Sequence, residues 1–251
     1  MNNRSHAMEQ AVHHGGAKLA CALLLDKSEY LARAAEKFCG TYFDIRFIAR
    51  SDRTVSQLPQ ELRRLATSER IDYLFNFLSP VRVPKDILEA IRVAPINFHP
   101  APPEYPGVGC ASYALFDALG GGRWEYGVSA HIMEERYDSG TILKVIRFPI
   151  AEDDYCDTLF DKALDYTLFL FYEVLRDIAV RGMPGPSQEQ WARKAGTRKE
   201  FEEWMILRPT DAEDLARRKI RAAQHSRFPG PYVEIFGERF ALSPRKKGMT
   251  T

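Results

Sequence analysis

Residues 96–107 read INFHPAPPEYPG. Asn97 and His99 are two apart, so on a strand both side chains project from the same face. Apolar residues lead up to them, and Pro100, Pro102, Pro103 and Pro106 follow. Each proline fixes φ and removes a backbone donor. The stretch reads as a buried strand that delivers two polar side chains to its end and then enters a stiffened loop.

The segments upstream have the same character. KLACALLLD (18–26), FDIRFIA (43–49), DYLFNFLS (72–79) and APINFHP (94–100) read as strands. Helical segments separate them. SEYLARAAEKFCG has Ser28 as its N-cap and Gly40 as its stop, and VSQLPQELRRLATSERI is helical in its second half. PKDILEAIR has Pro84 at its start. This alternation predicts βαβ units in an α/β fold, a mainly parallel Rossmann-like sheet with helices on both faces. Ligands in such sheets bind beyond the carboxyl ends of the strands, where Asn97 and His99 fall.

Downstream, SYALFDAL reads as a helix closed by the glycines at 120–122. YGVSAHIM (126–133) and TILKVIRFPI (141–150) read as strands joined by EERYDSG, whose turn carries Asp138 and Gly140. Residues 158–180 form an amphipathic helix with Leu164, Leu168, Phe171 and Leu175 on one face. RGMPGPSQ (181–188) is a linker by composition. Beyond it come a helix, DAEDLARRKIRAAQ, and a hairpin in which YVEIF and RFALS flank a Gly-Glu turn. The expected organisation is a flexible lead over 1–17, a catalytic domain over 18–182, and a small helix-and-hairpin extension over 183–251.

The 35 basic and 34 acidic residues leave a net charge of +1, which gives no general attraction to nucleic acid or to an anionic membrane. No apolar run reaches the roughly 20 residues that span a bilayer. The first twenty residues lack the apolar core of a secretory signal. His13 and His14 fit a floppy tail better than a metal site, and the tail PRKKGMTT fits a solvated end. Cys21, Cys39, Cys110 and Cys156 form no C-x-x-C pair, so free thiols in a cytoplasmic, reducing compartment are expected, with no metal site. GVGCAS (107–112) follows the proline loop rather than a strand, so no dinucleotide fingerprint is present.

The candidate chemistry lies in Asn97, His99 and Asp138. Histidine titrates near neutrality, and a carboxylate beside it holds its tautomer and raises its pKa. Asn97 adds a neutral amide donor. Together they suit an oxyanion site with a proton handler for acyl transfer, lacking a built-in nucleophile. A strand-end histidine and an Asp-Ser-Gly turn are also common structural features.

INFHPAPPEYPG followed by YGVSAHIMEERYDSGTIL resembles the folate-dependent formyltransferases, which carry N-x-H-P, a proline-rich loop, a strand and a D-[ST]-G turn in that order. The resemblance implies that Asn97, His99 and Asp138 are catalytic and that the co-substrate is N10-formyltetrahydrofolate. LFNFLSPVRVPKDIL is similar to the segment lining the family's pterin pocket, which implies Phe77, Leu78, Ser79, Val81 and Val83 as donor-binding residues, and the resemblance as a whole adds Ile96, Glu135 and Tyr137. The chain departs from the pattern at Pro106, where an arginine is common.

The segment after the linker, with Trp204 and FPGPY (228–232), is similar to that of methionyl-tRNA and nucleotide-sugar formyltransferases. Its shortness and lack of basic excess favour a nucleotide-linked amino sugar as acceptor, of the kind used in O-antigen and lipopolysaccharide synthesis. Tyr105, Tyr113 and Trp204 suit stacking on a base or sugar, and Arg193 suits pairing with a diphosphate; packing and solvated-face readings also fit them. Other readings are formylation of methionyl-tRNA or of a hydroxylated amino acid, and a folate- or nucleotide-binding module without catalysis. The expected partner is a small molecule, with no nucleic acid or membrane, and a homodimer is possible through the hairpin edge.

Overall fold

A computed structural model of the chain describes residues 18–51, 60–68 and 70–244. The N-terminal lead with His13 and His14, the start of the 55–71 segment whose second half is expected to be helical, and the basic tail from residue 245 lie outside them.

Packing divides the chain into two compact units. The first comprises the chain up to Pro100 together with Val128–Ile146 and Asp165–Gln190. The second comprises Ala101–Gly127, Arg147–Leu164 and the chain from Trp191 onward.

The strands β1 (Ala20–Asp26), β2 (Asp44–Ser51), β3 (Tyr73–Phe77), β4 (Ala94–His99), β5 (Glu125–Ile132) and β6 (Ile142–Pro149) form one sheet in the order β2-β1-β3-β4-β5-β6. Pairing is parallel from β2 through β4 and antiparallel between β4 and β5. The mainly parallel α/β sheet expected from the alternation is therefore present.

Strand register sorts the side chains of the first unit. Tyr73, Phe75 and Phe77 of β3 share a face with Phe98 of β4, since Phe75 pairs with Ile96 and Phe77 with Phe98. The helix α5 (Cys156–Arg181) inserts Phe171 here, at 4.8 Å from Phe98 and 5.1 Å from Phe77 between ring centroids. The helix α1 (Glu29–Tyr42) buries Leu31, Ala32, Ala35 and Cys39. The opposite face carries Ala22, Leu24 and Leu74, which pack with Leu62 and Leu65 of α2 (Gln60–Ser68) and Ile87 and Leu88 of α3 (Lys85–Ala90). Leu168, Phe171 and Leu175 of α5 are buried as the amphipathic pattern requires, with Leu164 half-buried.

Two local expectations are corrected. Gly40 does not end α1, which runs to Tyr42 and closes with the Phe43 amide on the Cys39 carbonyl. A Cβ at Gly40 would meet only the Ile45 side chain at 3.7 Å, an ordinary contact, so glycine imposes no break there. Ser28 occupies the N-cap position of α1, but its side chain makes no capping hydrogen bond.

In the second unit, α4 (Cys110–Leu119) is closed by Gly120 as expected. Arg218 of α7 (Glu213–Ala223) lies 4.2 Å from the Phe116 ring centroid and donates to the Phe116 carbonyl at 3.0 Å. A helix not expected from the sequence, α6 (Arg198–Trp204), starts at a complete capping box in which Thr197 and Glu200 satisfy each other's backbone amides. The hairpin strands β7 (Tyr232–Ile235) and β8 (Glu238–Ala241) pair Ile235 with Glu238. The turn is therefore Phe236-Gly237 rather than Gly-Glu, with φ values of 54° and 82°. Hairpin turns of this kind need positive φ at both central residues, and glycine supplies only one of them.

Candidate active site

The site of the first unit sits where β4 and β5 run side by side. Asn97 pairs with His131 and His99 with Ser129 in the antiparallel register, so these four residues share the face opposite the aromatic core. Asn76 of β3 lies beside Asn97 in the same row. Along β3 and β4 this face is apolar at first, with Leu74 and Pro95, and turns polar at the carboxyl ends, with Asn76, Asn97 and His99. The strand-end position expected for Asn97 and His99 is thus explained by the period of two along β4.

Asp138 comes from the loop between β5 and β6. One carboxylate oxygen lies 3.5 Å from His99 Nε2 and the other 3.3 Å from His131 Nε2. His99, His131 and Asp138 are all buried. Asn97 Nδ2 lies 3.0 Å from His131 Nε2, and His131 Nδ1 lies 2.9 Å from the Ile132 carbonyl oxygen. The expected trio is brought together, and His131, which the sequence reading did not single out, lies among them. Its position in YGVSAHIM was visible, but its pairing with Asn97 depends on register between distant segments.

The loop is built to hold Asp138. Asp138 has φ 42°, a left-handed conformation that costs a non-glycine residue energy and recurs at functional sites. A Cβ on Gly140 would lie 2.0 Å from the Ile132 carbonyl oxygen. Gly140 therefore packs over the carbonyl that His131 uses, and the glycine of D-S-G is required by close approach. Ser139 donates to the Arg136 carbonyl at 2.9 Å and closes the turn.

The residues expected to bind the donor fall into two groups. The side chains of Phe77, Ile96, Val81 and Val83 are buried, the last two in the cluster with α2 and α3. Leu78, Ser79, Glu135 and Tyr137 are more accessible. Asn76 accepts from the Ser79 amide at 3.1 Å, and Leu78 takes φ 60°, an outlier for a bulky residue. Tyr137 is 58% exposed, with the Arg82 guanidinium 5.8 Å from its ring.

The second unit gathers Tyr105, Tyr113, Trp204 and Arg193. The Arg193 guanidinium lies 5.4 Å from the Tyr105 ring and 5.1 Å from that of Tyr113. Trp204 packs 5.0 Å from Tyr113 and stacks 5.8 Å from Phe201. Tyr105 donates to Asp117 at 3.0 Å. Burial, and then the negative charge of Asp117, push its phenol up. Tyr113 is raised mainly by burial. The proline loop lends carbonyls to the 192–196 segment, with Ala192 donating to Pro103 and Gly196 to Pro106.

The chain belongs to the formyl transferase family, whose model matches residues 45–175. A methionyl-tRNA formyltransferase of Wolbachia pipientis is 28% identical over 161 residues, covering 64% of this chain and 50% of that protein. The chain spans about half the length of the curated relatives it matches. Among solved structures, a sugar N-formyltransferase from a Shewanella species is similar in fold, with TM-score 0.71 and 15% identity over 92% of this chain and 99% of that one. An N-formyltransferase from Helicobacter canadensis, solved with folinic acid and dTDP-3-aminofucose, aligns with TM-score 0.62 and 17% identity, covering 89% and 86%. Among the described residues no helix is long and apolar enough to cross a membrane, and no group of three or more His, Cys, Asp or Glu residues is placed to hold a metal ion.

Proposed function

We propose that this protein transfers a formyl group from N10-formyltetrahydrofolate to the amine of a nucleotide-linked amino sugar. The observation that carries the reading is the buried contact of His99 with Asp138 beside Asn97, at the carboxyl end of β4 in a formyl transferase fold.

In this reading the acceptor amine attacks the formyl carbon, and the carbon's bond to N10 of the folate breaks as the new C–N bond matures. Negative charge builds on the formyl oxygen, so donors aimed at that oxygen contribute most to the rate. The Asn97 amide and an N–H of His99 are assigned that role. Asp138 orients His99 and, directly or through water, takes the proton lost by the amine, while N10 of the departing folate is protonated. The pterin would meet the Leu78–Ser79 backbone and the Glu135–Tyr137 loop, since the side chains of Phe77, Val81, Val83 and Ile96 are occupied in packing. Tyr105, Tyr113, Trp204 and Arg193 remain the acceptor-side assignment, with the exposed Arg193 guanidinium suited to a diphosphate.

Amino-sugar specificity is supported by the fold neighbours named above. The curated relative favours methionyl-tRNA as the second reading. Incubating the protein with the formyl donor and a panel of nucleotide-linked amino sugars, with methionyl-tRNA in parallel, separates them. Gain of one formyl group by a nucleotide sugar is expected. Product from tRNA alone would transfer the assignment to the second reading, and donor consumption without acceptor would point to hydrolysis.

A further inference from the structure

The trio Asn97, His99 and Asp138 leaves His131 without a task, yet His131 is more deeply buried than either His99 or Asp138, at 2% exposure against 8% for each. We propose that His131 is a positioning residue: its neutral form, protonated at Nδ1, holds the Asn97 carboxamide with its nitrogen toward the reacting oxygen.

The argument starts at Nδ1. It lies 2.9 Å from the Ile132 carbonyl oxygen. A carbonyl only accepts, so Nδ1 carries the hydrogen. In the neutral ring Nε2 then holds a lone pair, and 3.0 Å from it sits Asn97 Nδ2. A primary amide nitrogen has two hydrogens. One is given to His131 and the second is left for the formyl oxygen. Without an acceptor at Nε2, the carboxamide can turn over and present its carbonyl oxygen instead. That end repels a developing oxyanion and removes the donor the reaction needs.

The surroundings preserve this arrangement. Gly140 packs over the Ile132 carbonyl, and His131 sits directly opposite Asn97 across the β4–β5 pair. Facing His131 are Asp138 from the β5–β6 loop, 3.3 Å from Nε2, and across that carboxylate His99 of β4. Asp138 can satisfy one proton-bearing imidazole nitrogen at each oxygen. Protonation of His131 at Nε2 would make that nitrogen a donor toward Asp138 and end its acceptance from Asn97. The assignment therefore requires His131 neutral during turnover, with Asp138 serving His99.

The proposal rests on the formyl-transfer reading, so its test has one arm that needs no activity. In nitrogen-labelled protein, NMR should show His131 with hydrogen at Nδ1 and a bare Nε2, coupled through the hydrogen bond to the Asn97 side-chain amide. A protonated Nε2 at neutral pH would overturn the proposal even if formyl transfer is confirmed. The activity arm is a double-mutant cycle. His131→Phe should lower kcat about 100-fold, the scale of losing one oxyanion donor, with donor and acceptor KM nearly unchanged. In an Asn97→Ala background the same change should cost less than about 3-fold, because His131 acts only through Asn97. His131→Gln, whose side-chain oxygen can accept, should recover part of the loss and guards against misfolding of the phenylalanine variant. Independent, multiplicative effects of His131→Phe and Asn97→Ala would sink the idea.

Discussion

At the scale of single residues, the candidate active site is a short polar interval inside an apolar sheet. Asn97→Ala and His99→Ala should each lower kcat by about 100-fold while folate affinity stays within several-fold, because both groups act on charge that develops only in the transition state. Parallel kinetics and folinic acid titrations check this, and full activity in both variants would remove the site assignment. Gly140→Ala is a sharper probe of the loop. The added methyl collides with the Ile132 carbonyl, so the loop must shift and carry Asp138 with it. A loss of at least about tenfold in kcat is expected, in line with the sensitivity of catalysis to small displacements. Near-normal turnover would mean that the Asp138 position tolerates movement. Asn97, His99 and Asp138 were legible in the sequence because short motifs carry them. His131 was not, because its partner lies 34 positions away and only strand register joins them.

At the scale of elements, periodicity did most of the work. The strands and the long helix α5 appear where apolar spacing put them, since each must bury one face or stripe. Phe171 is the anchor of α5 in the first unit, touching Phe75, Phe77 and Phe98. Phe171→Ala should therefore cost about 3–5 kcal/mol of stability, measured by urea unfolding. A loss under about 1 kcal/mol would show that the aromatic layer can close over the gap. Element ends were read less well. Gly40 looked like a stop yet sits in regular helix, and the Phe236-Gly237 turn places an aromatic residue where sequence rules favour glycine or asparagine. The helix α6 was missed although its capping box, Thr197 to Glu200, was there to be read. Gly107, in the GVGCAS stretch that carries no dinucleotide fingerprint, has a backbone role instead. It has φ 86°, and a Cβ there would lie 2.3 Å from the Gly196 carbonyl oxygen, so glycine is needed where the chain at Gly196 passes.

At the scale of the whole molecule, charge constrains the partner. A net charge of +1 gives the chain no general attraction to tRNA, whose binding draws on many phosphate contacts. Filter binding should find no retention of methionyl-tRNA at about 0.15 M salt, where screening extends over roughly 8 Å. Tight retention would favour the tRNA reading over the sugar one. The sequence by itself determined the α/β alternation, the mainly parallel sheet and the trio at its carboxyl end, because periodicity and short motifs are local properties. Only the tertiary structure decided which face those residues share, that β4 and β5 run antiparallel, and that His131 lies opposite Asn97. Those outcomes depend on pairing between segments far apart in the chain, and register is set by the packing of the whole sheet rather than by any stretch of it.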